Sequence, residues 1–211
     1  MKRYLLWDND GVLVDTEYWY FKATQRALAE LGVSLDEATY LQRMVRGASS
    51  QELAEAAGVD PKDIAAKWQQ RNAYYEAYLV NEAIEIEGVA SVLEVLARSH
   101  RMAIVTTSTR THFELIHNSR NLVQYMDFVL TREDYVSSKP DPEPYLLALN
   151  KFGASADECL VIEDSQRGLQ AALAAGIECA VIHNAFTSSH DFTGASHRLN
   201  SLGELTGLLH D

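Results

Sequence analysis

Five short apolar runs recur along the chain: Tyr4–Trp7, Met102–Thr107, Phe128–Thr131, Cys159–Ile162 and Cys179–His183. Each is too short for a helix and too continuously apolar for a strand with one wet face. Such runs read as strands buried on both faces of a parallel sheet. Helical stretches with clear punctuation lie between the later ones. Asp141-Pro142 supplies an N-cap and a first-turn proline, and Gly153 stops that helix after Phe152. Ser165 caps a helix over Gln166–Ala175, which ends at Gly176. Strands alternating with helices predict an α/β fold with a doubly wound parallel sheet.

The rhythm breaks after the first strand. About 70 residues of mainly helical pattern follow Asp15 before Gly88. Glu17–Leu31 ends at Gly32, Ser50–Ala57 ends at Gly58, and Asp60-Pro61 opens a long helix to about Val80. No strand signal interrupts them. The expected organisation is a core domain from 1–15 and 88–211, with a helical domain over 16–87. The aromatic group Trp68, Tyr74, Tyr75 and Tyr78 sits at helical spacing and reads as core of that insertion. There is no internal repeat and no low-complexity segment.

Charge narrows the partners. Eighteen basic against thirty acidic residues give a net charge of −12. Such a surface repels nucleic acid and anionic membranes. It repels phosphorylated ligands too, so an anion site needs local cations or a metal. No apolar run approaches the roughly 20 residues of a membrane helix, and the first residues lack the features of a secretion signal. A cytoplasmic location is the expectation. Cys159 and Cys179 each begin an apolar run and read as reduced core residues, bridged only if their strands are neighbours.

In open parallel sheets, ligands bind beyond the carboxyl ends of the strands. Asp8-Asn9-Asp10-Gly11 follows the first run, Thr106-Thr107-Ser108 ends the second, Ser137-Ser138-Lys139-Pro140 follows the third, and Glu163-Asp164-Ser165 follows the fourth. Acidic residues and glycines are common in such loops, and each loop alone is unremarkable. Acids packed together at a sheet edge are costly without compensating cations. Asp8 with Asp164 would make a hard oxygen site suited to Mg²⁺, and Lys139 would balance remaining charge. Phosphoryl transfer gives each group a task. Asp8 can attack phosphorus. Asp10 can protonate the leaving oxygen and later activate water. Thr106 and Lys139 can hold the equatorial oxygens. Gly11 permits a sharp turn after the acids.

These motifs resemble the haloacid dehalogenase superfamily. Asp8-Asn9-Asp10-Gly11-Val12-Leu13-Val14-Asp15-Thr16 is similar to its first motif, DxDGxxxD[ST]. Thr106, Lys139 and Glu163-Asp164 match the second, third and fourth, in order and across the whole chain. The resemblance implies a Rossmann-like core, Mg²⁺ held by Asp8, Asp164 and the backbone carbonyl of Asp10, and a small helical cap that closes over the site. Within it the chain is most similar to the branch of β-phosphoglucomutase and of sugar-phosphate and phosphoglycolate phosphatases. That branch's mutase pattern would want a His at Tyr20 and basic groups near Ser50 and Glu76, which favours hydrolysis here. Arg46-Gly47 matches the branch's cap loop. Arg46, Gly47, Thr107 and Arg110 are the candidate substrate contacts, and Glu163 is expected to pair with Lys139 rather than bind metal.

The expected activity is a Mg²⁺-dependent phosphatase of small phosphorylated metabolites, acting as a monomer. The competing readings are a phosphosugar mutase, a dehalogenase, a receiver domain and a non-catalytic binding module. Asp10 argues against a dehalogenase, the length of the insertion against a receiver, and the complete set of acids against a binding module. The seven histidines show no HxH or HxxxH spacing, so no zinc site is expected.

Overall fold

The structure is a computed structural model and describes residues 2–210. It holds a six-stranded sheet of β1 (Tyr4–Trp7), β2 (Arg101–Val105), β3 (Phe128–Leu130), β4 (Cys159–Glu163), β5 (Glu178–Ile182) and β6 (His197–Leu199). Every pairing is parallel, in the order β3-β2-β1-β4-β5-β6. The order reverses direction at β1 and β4, which is where open sheets of this kind form their ligand crevice.

Two compact units divide the chain: residues up to Asp15 with Glu85 onward, and Thr16–Ile84. The second unit contains α1 (Glu17–Glu30), α2 (Glu37–Arg46), α3 (Gln51–Ala56) and α4 (Pro61–Asn81). The first holds the sheet with α5 (Val89–Leu96), α6 (Arg110–His117), α7 (Glu143–Phe152), α8 (Gln166–Ala174) and α9 (Glu204–His210). Glu85 already belongs to the first unit, where it bridges to Val14.

Burial on both faces explains the continuous apolar strands. Leu6, Ala103, Val105 and Val161 point to one face, against Tyr145 and Ala148 of α7 and Leu169 of α8. Leu5, Trp7, Met102, Ile104, Leu160 and Ile162 point to the other, against Leu93 of α5, Phe113 of α6 and Leu205 of α9. Truncating one such side chain to Ala, Ile104 for example, costs on the order of 2–5 kcal/mol.

The punctuation acts as expected, with ends shifted by one or two residues. Asp141 accepts the Glu143 N–H at 2.9 Å, so α7 begins at Glu143 and ends at Gly153 with φ +64°. The Ser165 hydroxyl accepts the Gly168 N–H at 3.1 Å. Asp60 accepts from Lys62 at 2.8 Å and opens α4. The sixth strand has no apolar run to announce it. It is three residues long, only Leu199 is buried, and its pairing with β5 creates it. Cys159 and Cys179 lie on neighbouring strands but two positions out of register, Val161 being opposite Cys179. Both are free thiols. Burial pushes Cys159 up to about 11 and Cys179 well above the usual thiol range, so both stay protonated.

In the second unit, α1 and α4 pack through the expected aromatic group. Tyr75 is buried with its ring 5.1 Å from that of Tyr20, and Tyr78 lies 5.2 Å from Trp19. Tyr74 departs from the expected core role: its hydroxyl bonds the Glu30 carboxylate at 2.9 and 3.0 Å. Trp68 is half-buried beside the buried Arg71 guanidinium, 5.8 Å from its ring. Among the described residues, no helix is long and apolar enough to cross a membrane.

Candidate active site

The sheet register builds the centre of the site. Trp7 lies opposite Ile104 on β2 and Ile162 on β4. The next residue on each strand therefore brings Asp8, Val105 and Glu163 side by side. Thr106 and Asp164 follow one step further out. The Asp8 N–H continues the ladder to the Ile162 carbonyl at 2.9 Å.

Lys139 reaches this row from the loop before α7 and is only 4% exposed. Its ammonium donates to Asp8 Oδ1 at 2.6 Å, Glu163 Oε1 at 2.7 Å and the Val105 carbonyl at 2.8 Å. All three of its protons are thus used. Glu163 is just as fully engaged. Oε1 also accepts from the Tyr145 hydroxyl at 2.9 Å, and Oε2 accepts from the Asp164 and Ser165 N–H groups and the Ser165 hydroxyl at 3.0–3.2 Å. A Cβ on Gly168 would lie 1.7 Å from Glu163 Oε1, so glycine there makes room for the carboxylate.

Asp10 belongs to a second cluster of hydrogen bonds. Its Oδ2 accepts from the Ser108 hydroxyl at 2.8 Å, the Thr106 hydroxyl at 3.2 Å and the Asn9 amide at 3.3 Å. Thr106 thus donates its hydroxyl proton to Asp10. The Ser108 N–H fixes the Thr106 oxygen at 3.0 Å, and Tyr135 holds the Thr106 carbonyl at 2.7 Å. Asp164 is 6% exposed and accepts from the Asn184 amide at 2.9 Å.

Gly11 sits directly against this pair. Its φ is +85°, and a Cβ would fall 2.1 Å from Asp164 Oδ2 and 2.8 Å from the Asn184 amide nitrogen. Gly11→Ala combines a left-handed backbone with a clash on a buried carboxylate. The expected outcome is a stability loss of about 1–2 kcal/mol from the backbone alone, with activity falling further as Asp164 is displaced. A thermal melt and a rate assay on the variant check this.

The centre is short of positive charge. Burial pushes the Asp8 carboxyl up to about 8; Glu163 and Asp10 add to the rise and Lys139 opposes it. Burial disfavours the Lys139 ammonium, yet Asp8 and Glu163 outweigh it and hold Lys139 well above its usual range. One ammonium thus serves two buried carboxylates, with Asp164 a third acid beside them. Oxygens of Asp8, Glu163 and Asp164 lie within 4.8 Å of one another, a spacing able to hold a metal ion. Glu163 has committed both oxygens, which leaves Asp8 and Asp164 as the side-chain donors. Hard carboxylate oxygens beside a charge deficit fit a cation such as Mg²⁺.

The other expected contacts are dispersed. Thr107 is exposed just beyond β2. Arg110 opens α6 and is ion-paired with Asp134 at 2.7 Å, its N–H on Glu133. Arg46 is an exposed residue ending α2 in the second unit, and Gly47 is the left-handed cap of that helix, φ +64°.

A family model for haloacid dehalogenase-like hydrolases matches residues 5–182. The chain belongs to that family. Among its haloacid dehalogenase-like relatives, a phosphorylated carbohydrates phosphatase of Thermotoga maritima is 31% identical over 85% of each chain. Protein CbbY of Cereibacter sphaeroides is 27% identical, covering 97% of this chain and 94% of that one. Among solved structures, CbbY of Rhodobacter sphaeroides in complex with phosphate superposes with a TM-score of 0.81 at 26% identity, over 97% and 96% of the two chains. A β-phosphoglucomutase-like structure from Thermotoga maritima gives 0.77, also at 26% identity, over 99% and 98%.

Several site residues of this haloacid dehalogenase-like hydrolase escape sequence reading. Ser108 was visible as a hydroxyl at a strand end, with nothing to rank it against Thr107. Tyr145 and Asn184 come from α7 and the loop after β5, and no local pattern links either to the acids they serve. His117 lies 108 positions from Asn9, its hydrogen-bond partner at 2.8 Å.

Proposed function

We propose that this chain is a Mg²⁺-dependent phosphatase of sugar phosphates that works through a phosphorylated Asp8. The observation that carries the reading is the pairing of two carboxylates with opposite settings. Asp8 is gripped by Lys139 on one oxygen and sits beside Asp164, the setting of a nucleophile. Asp10 hangs from hydroxyl and amide donors two residues on, the setting of a group that passes protons.

In this reading an Asp8 oxygen attacks phosphorus, and the bond to the leaving alcohol oxygen breaks. Asp10 gives that oxygen its proton. The resulting carboxylate is held by Ser108, Thr106 and Asn9 until it takes a proton from the water that hydrolyses the aspartyl-phosphate. Lys139 favours the ionised form of Asp8 against burial and its acidic neighbours, and a bound cation would add to that. Asp8, Asp164 and the backbone carbonyl of Asp10 would hold Mg²⁺, which when bound screens the repulsion between carboxylate and phosphate. We assign substrate selection to the helical unit, with Arg46 and Gly47 as candidate contacts. Thr107 remains a candidate contact, as does Arg110, which would have to leave Asp134. We also take the enzyme to be a cytoplasmic monomer that binds neither nucleic acid nor membrane, in keeping with its charge of −12.

The substrate class follows from two relatives. One is the carbohydrate phosphatase, and the other is a CbbY structure holding xylulose 1,5-bisphosphate, 26% identical. Hydrolysis is favoured over mutase chemistry because Tyr20, Ser50 and Glu76 stand where a mutase would use imidazole or cationic groups. A carboxylate at Glu76 repels a second phosphate.

A panel of phosphorylated sugars, phosphoglycolate and nucleotides tests the reading. Phosphate release from a sugar phosphate is expected, with no conversion of β-glucose 1-phosphate to glucose 6-phosphate even with a bisphosphate primer. Isomerisation at a rate comparable to phosphate release would make it a mutase. A chelator should silence the enzyme, and Ca²⁺ should fail to restore it because its longer bonds misplace Asp8. Full activity in the chelator would remove the metal from the account.

A further inference from the structure

Behind Asp10 lies a buried polar chain. His117, in the last turn of α6, is 8% exposed, and Asn9 is fully buried. The His117 Nε2 lies 2.8 Å from Asn9 Oδ1, and the Asn9 amide nitrogen lies 3.3 Å from Asp10 Oδ2. The imidazole packs on Phe113, ring centres 4.5 Å apart, and among the described residues its Nδ1 has no hydrogen-bond partner. A polar ring in this apolar setting needs a reason, since burial of an unmet polar group is costly.

Only one arrangement of protons fits. Burial holds His117 down at about 4, with Arg120 acting the same way and Asp10 opposing, so the ring is neutral and carries one N–H. Were that proton on Nδ1, a buried N–H would have no acceptor, and Nε2 would demand a donor from Asn9. The Asn9 amide would then turn its oxygen toward the Asp10 carboxylate, acceptor against acceptor. With the proton on Nε2, the ring donates to Asn9 Oδ1, Asn9 presents its N–H to Asp10, and only a lone pair is left unmet.

We propose that His117 is a positioning residue that locks the direction of the Asn9 amide, so that Asn9 holds Asp10 in line with the leaving-group oxygen. This rests on the role proposed for Asp10 above and adds two residues to its support. His117 acts through Asn9. Asp10 in turn must hand its proton to the leaving oxygen as the P–O bond breaks. A sugar alkoxide cannot leave without that proton, whereas a nitrophenolate can.

The test compares two leaving groups in His117→Phe, which keeps the packing on Phe113 and removes the donor. The probes are p-nitrophenyl phosphate and the sugar monophosphate that the wild type hydrolyses fastest. The first-turnover rate on the sugar phosphate should fall by about ten- to a hundredfold, a part of the ~10²–10⁴ that a general acid supplies. The first-turnover burst of nitrophenol from p-nitrophenyl phosphate should change by less than about threefold, because forming the phosphoenzyme from that substrate does not draw on the acid. His117→Gln, whose amide again offers an N–H, should recover most of the loss. Equal losses on both substrates, no loss on the sugar phosphate, or a selective loss that Gln leaves unrepaired would overturn the proposal. If His117→Phe melts below assay temperature, Asn9→Leu is judged on the same ratio. Failure of the underlying reading shows elsewhere, as a wild type inactive on both probes.

Discussion

Asp8→Asn should fold as well as the wild type and retain less than about a hundredth of its activity, since covalent catalysis collapses with its nucleophile. The two halves of this expectation have separate causes. Burial, with the charges of Glu163 and Asp10 beside it, drives the Asp8 carboxyl up to about 8. A neutral carboxamide relieves that repulsion and still offers Lys139 an acceptor, so stability is held or gained. A carboxamide oxygen is a poor nucleophile and a weak ligand for a hard cation. Circular dichroism and a thermal melt alongside the rate assay separate the halves. A variant with more than about a hundredth of wild-type activity would remove Asp8 as nucleophile.

Lys139→Ala should show the opposite balance, losing both fold stability and rate. Among the described residues, the Lys139 ammonium is the side-chain cation ion-paired with Asp8 and Glu163, at 2.6 and 2.7 Å. Removing one partner of a buried pair leaves an uncompensated charge and costs about 3–5 kcal/mol. The rate should fall by two or more orders of magnitude, the scale of a lost preorganised contact. Thr106→Ala should cost less, because Ser108 and Asn9 still hold Asp10. Chemical denaturation and kcat/KM on one substrate check both variants. A silent Lys139→Ala would mean that the lysine is ornamental to the reaction.

The parts of this molecule that were legible in its sequence share a physical trait. β1, β4 and the Met102–Val105 part of β2 are buried on both faces, so their composition admits no polar residue until the strand ends, and acids or hydroxyls appear at once. Gly153 and Ser165 mark helix ends because few residues meet those local demands. β6 had no such signature, since an edge strand of three residues needs only one buried side chain, Leu199. The site divides the same way. Asp8, Asp10 and Asp164 were visible because charge at the end of an apolar strand is costly, and Lys139 because such acids call for a cation nearby. Asn184, Tyr145 and His117 were not, because a buried tyrosine, asparagine or histidine looks like any other until the fold shows what it holds. Thr106 was legible as a hydroxyl at the right place, yet its proton points to Asp10, a direction no sequence pattern encodes.

The central claim is that phosphate passes through Asp8, and the Asp10→Asn variant tests it most directly. With p-nitrophenyl phosphate the first step needs no acid, whereas hydrolysis of the aspartyl-phosphate still needs Asp10 to activate water. Phosphoenzyme should therefore accumulate. Rapid mixing with Mg²⁺ present, acid quench and mass spectrometry of the peptides should give one equivalent of nitrophenol in a burst and one phosphoryl group on the peptide bearing Asp8. Continuous nitrophenol release with no phosphate on that peptide, or phosphate on another residue, would contradict the account.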